Sequence, residues 1–119
     1  MSEKGVTLVR EMAELVESAE HLRAVLVHFS TTIADVAALL EGGDLPIAAL
    51  KGAPGPVRRR ELTEALEEFE RMRHQVRVSF FALATEQGTS ISEVGRMLGI
   101  SRQLASRVAA EAGDAGPTS

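Results

Sequence analysis

The chain has 119 residues, no cysteine and a formal net charge of −4, which suits one domain or a small domain with an added association element. The lack of cysteine excludes a disulfide framework and a cysteine-based zinc site. Aromatic residues make up only 3% of the chain, while Leu, Val and Ala dominate, and no segment alternates with the period of a strand. We therefore predict an all-α fold, with long helices arranged as a bundle or coiled coil.

The N-terminal stretch "MSEKGVTLVREMAEL" carries acidic residues where a signal peptide would need a basic region and an apolar run. Uncharged apolar runs stay well short of the ~18 residues that a membrane span requires. We therefore expect a cytoplasmic protein with no membrane partner.

Residues 1–43 are predicted to form a long dimerisation helix. Apolar or small residues recur there at alternating steps of four and three, which is the period of coiled coils and bundles. A helix over about residues 6–41 would run ~50 Å, longer than so small a chain can cover. A first heptad set contains Met12, Ala19, Leu26, Ile33 and Leu40. A second heptad set contains Leu8, Leu15, Leu22, Phe29 and Val36.

This pattern predicts a homodimer, although it leaves open whether the first helix pairs within a chain or between chains. The width of the apolar stripe also leaves room for another protein partner. The predicted dimer interface consists of Leu8, Met12, Leu15, Leu22, Leu26, Phe29, Ile33 and Val36.

Residues 44–55 are predicted to be a linker, with a short helical turn opened by Asp44 and Pro46. A second long helix is expected within residues 56–88, ending near Glu86 with Gly88 as its cap. Its apolar stripe comprises Leu62, Leu66, Phe69, Met72, Val76, Phe80 and Leu83, with Ala65, Phe81 and Ala84 alongside. The tail, 113–119, has no periodicity and is predicted to be disordered.

Residues 89–112 have the pattern of a C-terminal helix-turn-helix. Ser90 is an N-cap whose capping box is completed by Glu93, and Gly99 is placed to end the first helix with positive φ. Gly95 is small enough for the second helix to approach closely. Ser101 caps that second helix. The predicted inner faces consist of Ile91, Val94 and Leu98 in the first helix and Leu104, Ala105 and Val108 in the second.

The outer face of the second helix is polar and consists of Arg102, Gln103, Ser106 and Arg107. Arginine pairs bidentately with guanine and glutamine with adenine, while Ser101 and free N–H groups at the helix start can hold a phosphate. The alternative interpretation is that this unit is an αα-hairpin packed at the end of a bundle.

The stretch "ISEVGRMLGISRQLASRV" resembles the helix-turn-helix of bacterial DNA-binding regulators. It is similar to the promoter-reading domain of major sigma factors and to small actinobacterial regulators. The resemblance covers about 22 of the 119 residues. It implies a base-reading role for the outer-face residues Arg102, Gln103, Ser106 and Arg107. Residues 1–88 carry no family resemblance.

Charge is distributed unevenly along the chain. Residues 1–50 carry eight acids against three bases, whereas residues 71–110 carry six arginines against two glutamates. The basic part contains the helix-turn-helix, including Arg96, which we add to the predicted DNA-binding residues. The candidate phosphate contacts are Arg58, Arg59, Arg60, Arg73 and Arg77. For Arg58–Arg60 the alternative is a solvated helix start, partly neutralised by neighbouring glutamates.

The sequence contains no glycine pattern or nucleophile motif of an enzyme, and we predict neither a cofactor nor a metal site. His21 and His28 would lie ~10.5 Å apart on a helix, too far to share one metal ion. We expect a transcriptional regulator that binds double-stranded DNA as a homodimer. The alternative is a helical protein-interaction module whose C-terminal hairpin is only structural. A third hypothesis is that a small apolar ligand controls the DNA reader.

Overall fold

A computed structural model describes residues 1–114, in which the chain forms five α-helices. These are α1 (Glu3–Glu41), α2 (Pro46–Gly52), α3 (Gly55–Glu86), α4 (Ile91–Leu98) and α5 (Arg102–Asp114). Since residues 1–114 contain no strand, the all-α prediction is confirmed. Helix α5 continues to Asp114, two residues into the segment predicted to be disordered, and residues 115–119 lie outside the described residues.

Helix α1 is continuous through the "STT" sequence at residues 30–32, despite the low helix propensity of these residues. The hydroxyl of Thr31 donates to the carbonyl of Val27 at 3.2 Å, so its polar group is satisfied inside the helix. Thr32 is buried. The first helix is therefore one element, as its unbroken period predicts.

The segment between α1 and α3 is shaped by a glycine and a proline. Gly43 has φ 101° and ends α1 in a left-handed conformation, with the N–H of Asp44 donating to the carbonyl of Leu39 at 3.0 Å. Leu45, rather than Asp44, occupies the N-cap of α2, and Pro46 takes the first helical position. The predicted turn is thus a complete short helix, Pro46–Gly52.

The chain divides into two compact units, the first comprising Met1–Leu15 with Met72–Ser119 and the second Val16–Arg71. In the first unit, the start of α1 runs antiparallel to the end of α3. The hydroxyl of Ser79 donates to both carboxylate oxygens of Glu11 at 2.9 Å. Near the helix ends, the ammonium of Lys4 lies 4.0 Å from the carboxylate of Glu86.

The inner face of α1 consists of the second heptad set together with the residue immediately before each member of the first set. Leu8 of the second set is buried and the other four members of that set are half-buried. Val25, which precedes Leu26 of the first set, is also buried. The first heptad set faces outward, since Met12, Leu26, Ile33 and Leu40 are all at least 39% exposed. The predicted stripe is therefore divided, and one part faces the interior while the other forms an outer face.

Helix α1 is the one helix in the described part of the chain that is long and apolar enough to cross a membrane by length and composition. Core helices of water-soluble proteins and signal sequences meet the same criterion. Cytoplasmic localisation therefore stays a prediction.

Candidate nucleic-acid interface

Local hydrogen bonds define both ends of α4. The hydroxyl of Ser90 accepts the backbone N–H of Glu93 at 3.2 Å, which confirms Ser90 as the N-cap. At the other end, Gly99 adopts φ 68° and ψ 30°, as predicted, and the N–H of Ile100 donates to the carbonyl of Gly95 at 3.0 Å. The chain then turns sharply into α5.

Helix α5 crosses α4 closely at a pair of small residues. A Cβ added to Gly95 would lie 3.0 Å from the Cβ of Ala105, tighter than an ordinary van der Waals contact. Ala105 is only 3% exposed. The close approach predicted at Gly95 is therefore confirmed, and it fixes how the two helices pack on each other.

A shared hydrophobic core attaches α4 and α5 to the C-terminal part of α3. Its fully buried side chains are Phe81 of α3, Val94 of α4 and Val108 of α5. Val78 is also part of this core but was absent from the predicted stripe of α3. The buried α3 residues that support α4 and α5, Val78 and Phe81, therefore lie beside that stripe, while Phe80 of the stripe is half-buried against the same core.

The predicted inner face of α4 is only partly correct. Val94 is buried and belongs to the core, but Ile91 and Leu98 are 42% and 39% exposed and lie outside it. In α5 the prediction is confirmed, since Ala105 and Val108 are buried and Leu104 is half-buried.

The outer face of α5 presents Arg102, Gln103, Ser106 and Arg107 together, and these four side chains line one shallow concavity. Ser101 caps the helix, with its hydroxyl accepting the N–H of Leu104 at 3.1 Å. The guanidinium groups of Arg102 and Arg107 have no ion-pair partner within residues 1–114. This surface therefore offers uncompensated positive charge beside a helix N-terminus, which suits an anion such as a phosphate.

Arg96 lies exposed on the last turn of α4 and also lacks an ion-pair partner in the described range. Of the candidate phosphate contacts, Arg73 is exposed and Arg77 half-buried on the part of α3 that belongs to the same unit as α4 and α5. Together these residues place additional positive charge in the first unit.

The remaining candidates, Arg58, Arg59 and Arg60, belong to the second unit. The guanidinium of Arg58 is engaged by the carboxylate of Glu61 at 3.0 and 3.3 Å, while Arg59 and Arg60 are exposed. Later in α3, Arg71 donates to Glu68, and this hydrogen bond lowers the pKa of the Glu68 carboxyl below its usual value. Neighbouring glutamates thus neutralise part of the positive charge in the second unit.

One contact of α5 was not predicted from the sequence. The Nε2 atom of His74 on α3 pairs with the carboxylate of Glu111 near the end of α5. This pair joins α5 to α3 at the surface, beside the buried core, which extends along α5 as far as Ala112. The two residues lie 37 positions apart, so no local signal pointed to their contact.

Within residues 1–114, no group of three or more His, Asp or Glu side chains is arranged to hold a metal ion. Comparisons with family models, with curated proteins and with solved structures find no match for this chain.

Proposed function

We propose that the protein is a sequence-specific transcriptional regulator that binds double-stranded DNA through a C-terminal helix-turn-helix and acts as a homodimer. In this proposal α5 is the recognition helix and α4 supports it. Arg102, Gln103, Ser106 and Arg107 contact base edges, while Arg96, Arg73 and Arg77 contact the phosphate backbone. Ser101 and the N–H groups at the start of α5 bind a further phosphate.

The observation that carries the proposal is the division between the two sides of α5. Ala105 and Val108 are buried in the core shared with α3 and α4, whereas two arginines, a glutamine and a serine are exposed together. A hairpin that serves only packing has no need of this polar group. Arginine and glutamine also match the hydrogen-bonding edges of guanine and adenine in the major groove.

Dimerisation supplies the area that one recognition helix lacks. Specific protein–DNA interfaces usually bury ~1,000–2,500 Å² of protein surface, more than four side chains and a helix N-terminus provide. Two copies would contact half-sites about one helical turn, or ~34 Å, apart, or at a multiple of that spacing. We therefore expect a roughly palindromic operator.

The first test selects bound sites from random double-stranded DNA and then measures the affinity of variants for the selected site. Arg102→Ala and Arg107→Ala should each weaken specific binding by roughly tenfold to a hundredfold, because each removes a bidentate base contact. Arg10→Ala is the matched control, since it removes the same charge from the exposed surface of α1. If Arg102→Ala and Arg107→Ala both bind the selected site as tightly as the parent, these arginines do not contact its bases, and the recognition surface on α5 is refuted.

The second candidate function is a helical module that binds another protein, and the exposed outer face of α1 favours it. Salt dependence separates the two functions. Binding to DNA should weaken steeply as salt rises, because phosphate contacts release counterions. An apolar protein interface should respond little. Failure to select any DNA site from the random pool would support this second function.

A further inference from the structure

The part of α1 that lies in the second unit carries an uncovered apolar face. Val16 and Val27 are 57% and 59% exposed, and Leu26 and Ile33 of the first heptad set are 42% and 48% exposed. A shallow groove runs beside these residues and is lined by Ala19, Leu26, Val27 and Phe69, among others. Large apolar side chains aligned along a helix indicate a docking surface for another helix.

Two opposite charges interrupt this face at its middle. Val16, Glu20, Arg23 and Val27 follow one another at steps of four, three and four, so they form one ridge along α1. Within residues 1–114, neither Glu20 nor Arg23 has an ion-pair partner. The ridge therefore presents an unpaired anion and an unpaired cation between two exposed valines.

The ridge is self-complementary when a second α1 helix runs in the opposite direction. About a midpoint between His21 and Leu22, Glu20 corresponds to Arg23 and Val16 corresponds to Val27. Two antiparallel copies that cross there bring Glu20 opposite Arg23 of the second copy twice, and Val16 opposite Val27 twice. A parallel pair would instead face Glu20 with Glu20 and Arg23 with Arg23, and like charges in such positions destabilise the contact.

We propose that two copies of this chain associate through the outer face of α1 as an antiparallel, two-fold symmetric pair centred between residues 21 and 22. On the flank of the ridge, the small side chain of Ala19 leaves space in the groove for Leu26 of the second copy. The surface retains Leu26 from the predicted dimer interface. Leu22 is half-buried and lines the groove beside the ridge, whereas Phe29 is half-buried on the inner face of each chain.

This pairing deepens the proposed function, because it assigns the surface and the direction of the homodimer. It is measured without DNA, so its failure leaves the contact between α5 and DNA untouched. Conversely, a DNA-binding failure with the dimer intact would overturn only the proposed function.

The first experiment measures mass by sedimentation equilibrium for four forms of the full chain. The parent should be dimeric, whereas Glu20→Arg and Arg23→Glu should each raise the dimer dissociation constant at least tenfold. The double variant Glu20→Arg/Arg23→Glu should restore association to near the parental value, since the two charges exchange places. Helical circular dichroism checks that every variant is folded. A monomeric parent, or a double variant no better than the single ones, would overturn the proposal.

Cross-linking then tests direction, since the chain has no cysteine of its own. Val16→Cys/Val27→Cys should form an intermolecular disulfide under mild oxidation, because residue 16 of one copy meets residue 27 of the other. Val27→Cys alone should not, because residues 27 of the two copies would lie ~16 Å apart along an antiparallel pair. Efficient cross-linking of Val27→Cys alone would demonstrate parallel pairing and overturn the proposal. A parent protein that is monomeric and floats with phosphatidylglycerol vesicles would indicate a membrane as the partner of this face. That result would also overturn the proposal.

Discussion

The two units of the chain use their apolar residues in opposite ways. In the first unit the buried apolar residues include three that are larger than valine, namely Leu8, Met72 and Phe81, and the polar residues of α5 face outward. In the second unit the buried apolar residues are Val25, Ala49, Ala53 and Ala65, all small or medium in size. The larger side chains in that unit are often exposed, and these include Leu26, Ile33, Leu40, Leu45, Ile47, Leu50 and Leu66.

This difference indicates that the first unit buries larger apolar side chains than the second unit, which leaves most of its own large apolar side chains exposed to solvent. Burial of apolar surface is the main favourable contribution to folding and to most protein associations. In the first unit, burial of apolar side chains between α3, α4 and α5 holds α5 in place. In the second unit, the apolar surface on the outer face of α1 would contribute to association when another molecule covers it.

The largest expected effect comes from the core that distinguishes the first unit. Phe81→Ala should lower the free energy of unfolding by about 3–5 kcal/mol, because Phe81 is fully buried beneath α4 and α5. Phe69→Ala in the second unit is the matched control, and it should cost less than half as much because Phe69 is only half-buried. Urea denaturation followed by circular dichroism gives both values, and equal losses would remove the contrast between the units.

A smaller effect is expected from the buried carboxylate of the first unit. Ser79→Ala should lower the free energy of unfolding by about 1–3 kcal/mol, because Glu11 is 4% exposed and loses its hydrogen-bond donor. Ser92→Ala provides the control, since Ser92 is exposed on α4. Both changes replace a serine within a helix by alanine, but only Ser79→Ala removes a hydrogen bond to a buried carboxylate. A stability of Ser79→Ala equal to that of Ser92→Ala would show that the contact contributes nothing.

The smallest effect concerns the pair at the end of α5. His74→Ala should cost below about 1 kcal/mol, because both partners are exposed to solvent and exposed ion pairs contribute little. His28→Ala on the exposed side of α1 is the comparison variant. Amide hydrogen exchange of the last turn of α5 should quicken in the first variant only. Exchange that is the same in both would mean that the core alone anchors this helix.

The sequence is most informative where structure depends on local chemistry. The caps at Ser90 and Ser101 and the left-handed turn at Gly99 follow from hydrogen bonds and backbone freedom within a few residues, and all three are present. The outward polar residues of α5 follow from helical periodicity, once Ala105 and Val108 are recognised as its inner face.

The inner side of α1 is harder to predict, because two heptad sets with the same period are both apolar. Which set is buried depends on the residues beside it, and the structure selects the side that includes Val25, Glu11 and Thr32. Two of these three are polar, so hydrophobicity alone points away from them. The contacts of Glu11 with Ser79 and of His74 with Glu111 join residues far apart in sequence, and no periodic pattern reports such pairs.

The contact between Glu11 and Ser79 has a consequence for how the chain folds. It joins residues 68 positions apart, and the whole second unit lies in the loop that it closes. Closing long loops costs more chain entropy than closing short ones, and folding slows as contacts become more distant in sequence. The second unit is one continuous stretch, so its contacts can form while synthesis continues. The first unit, including α5, completes its assembly only after α4 and α5 have emerged from the ribosome and met residues 1–15, which are made earlier.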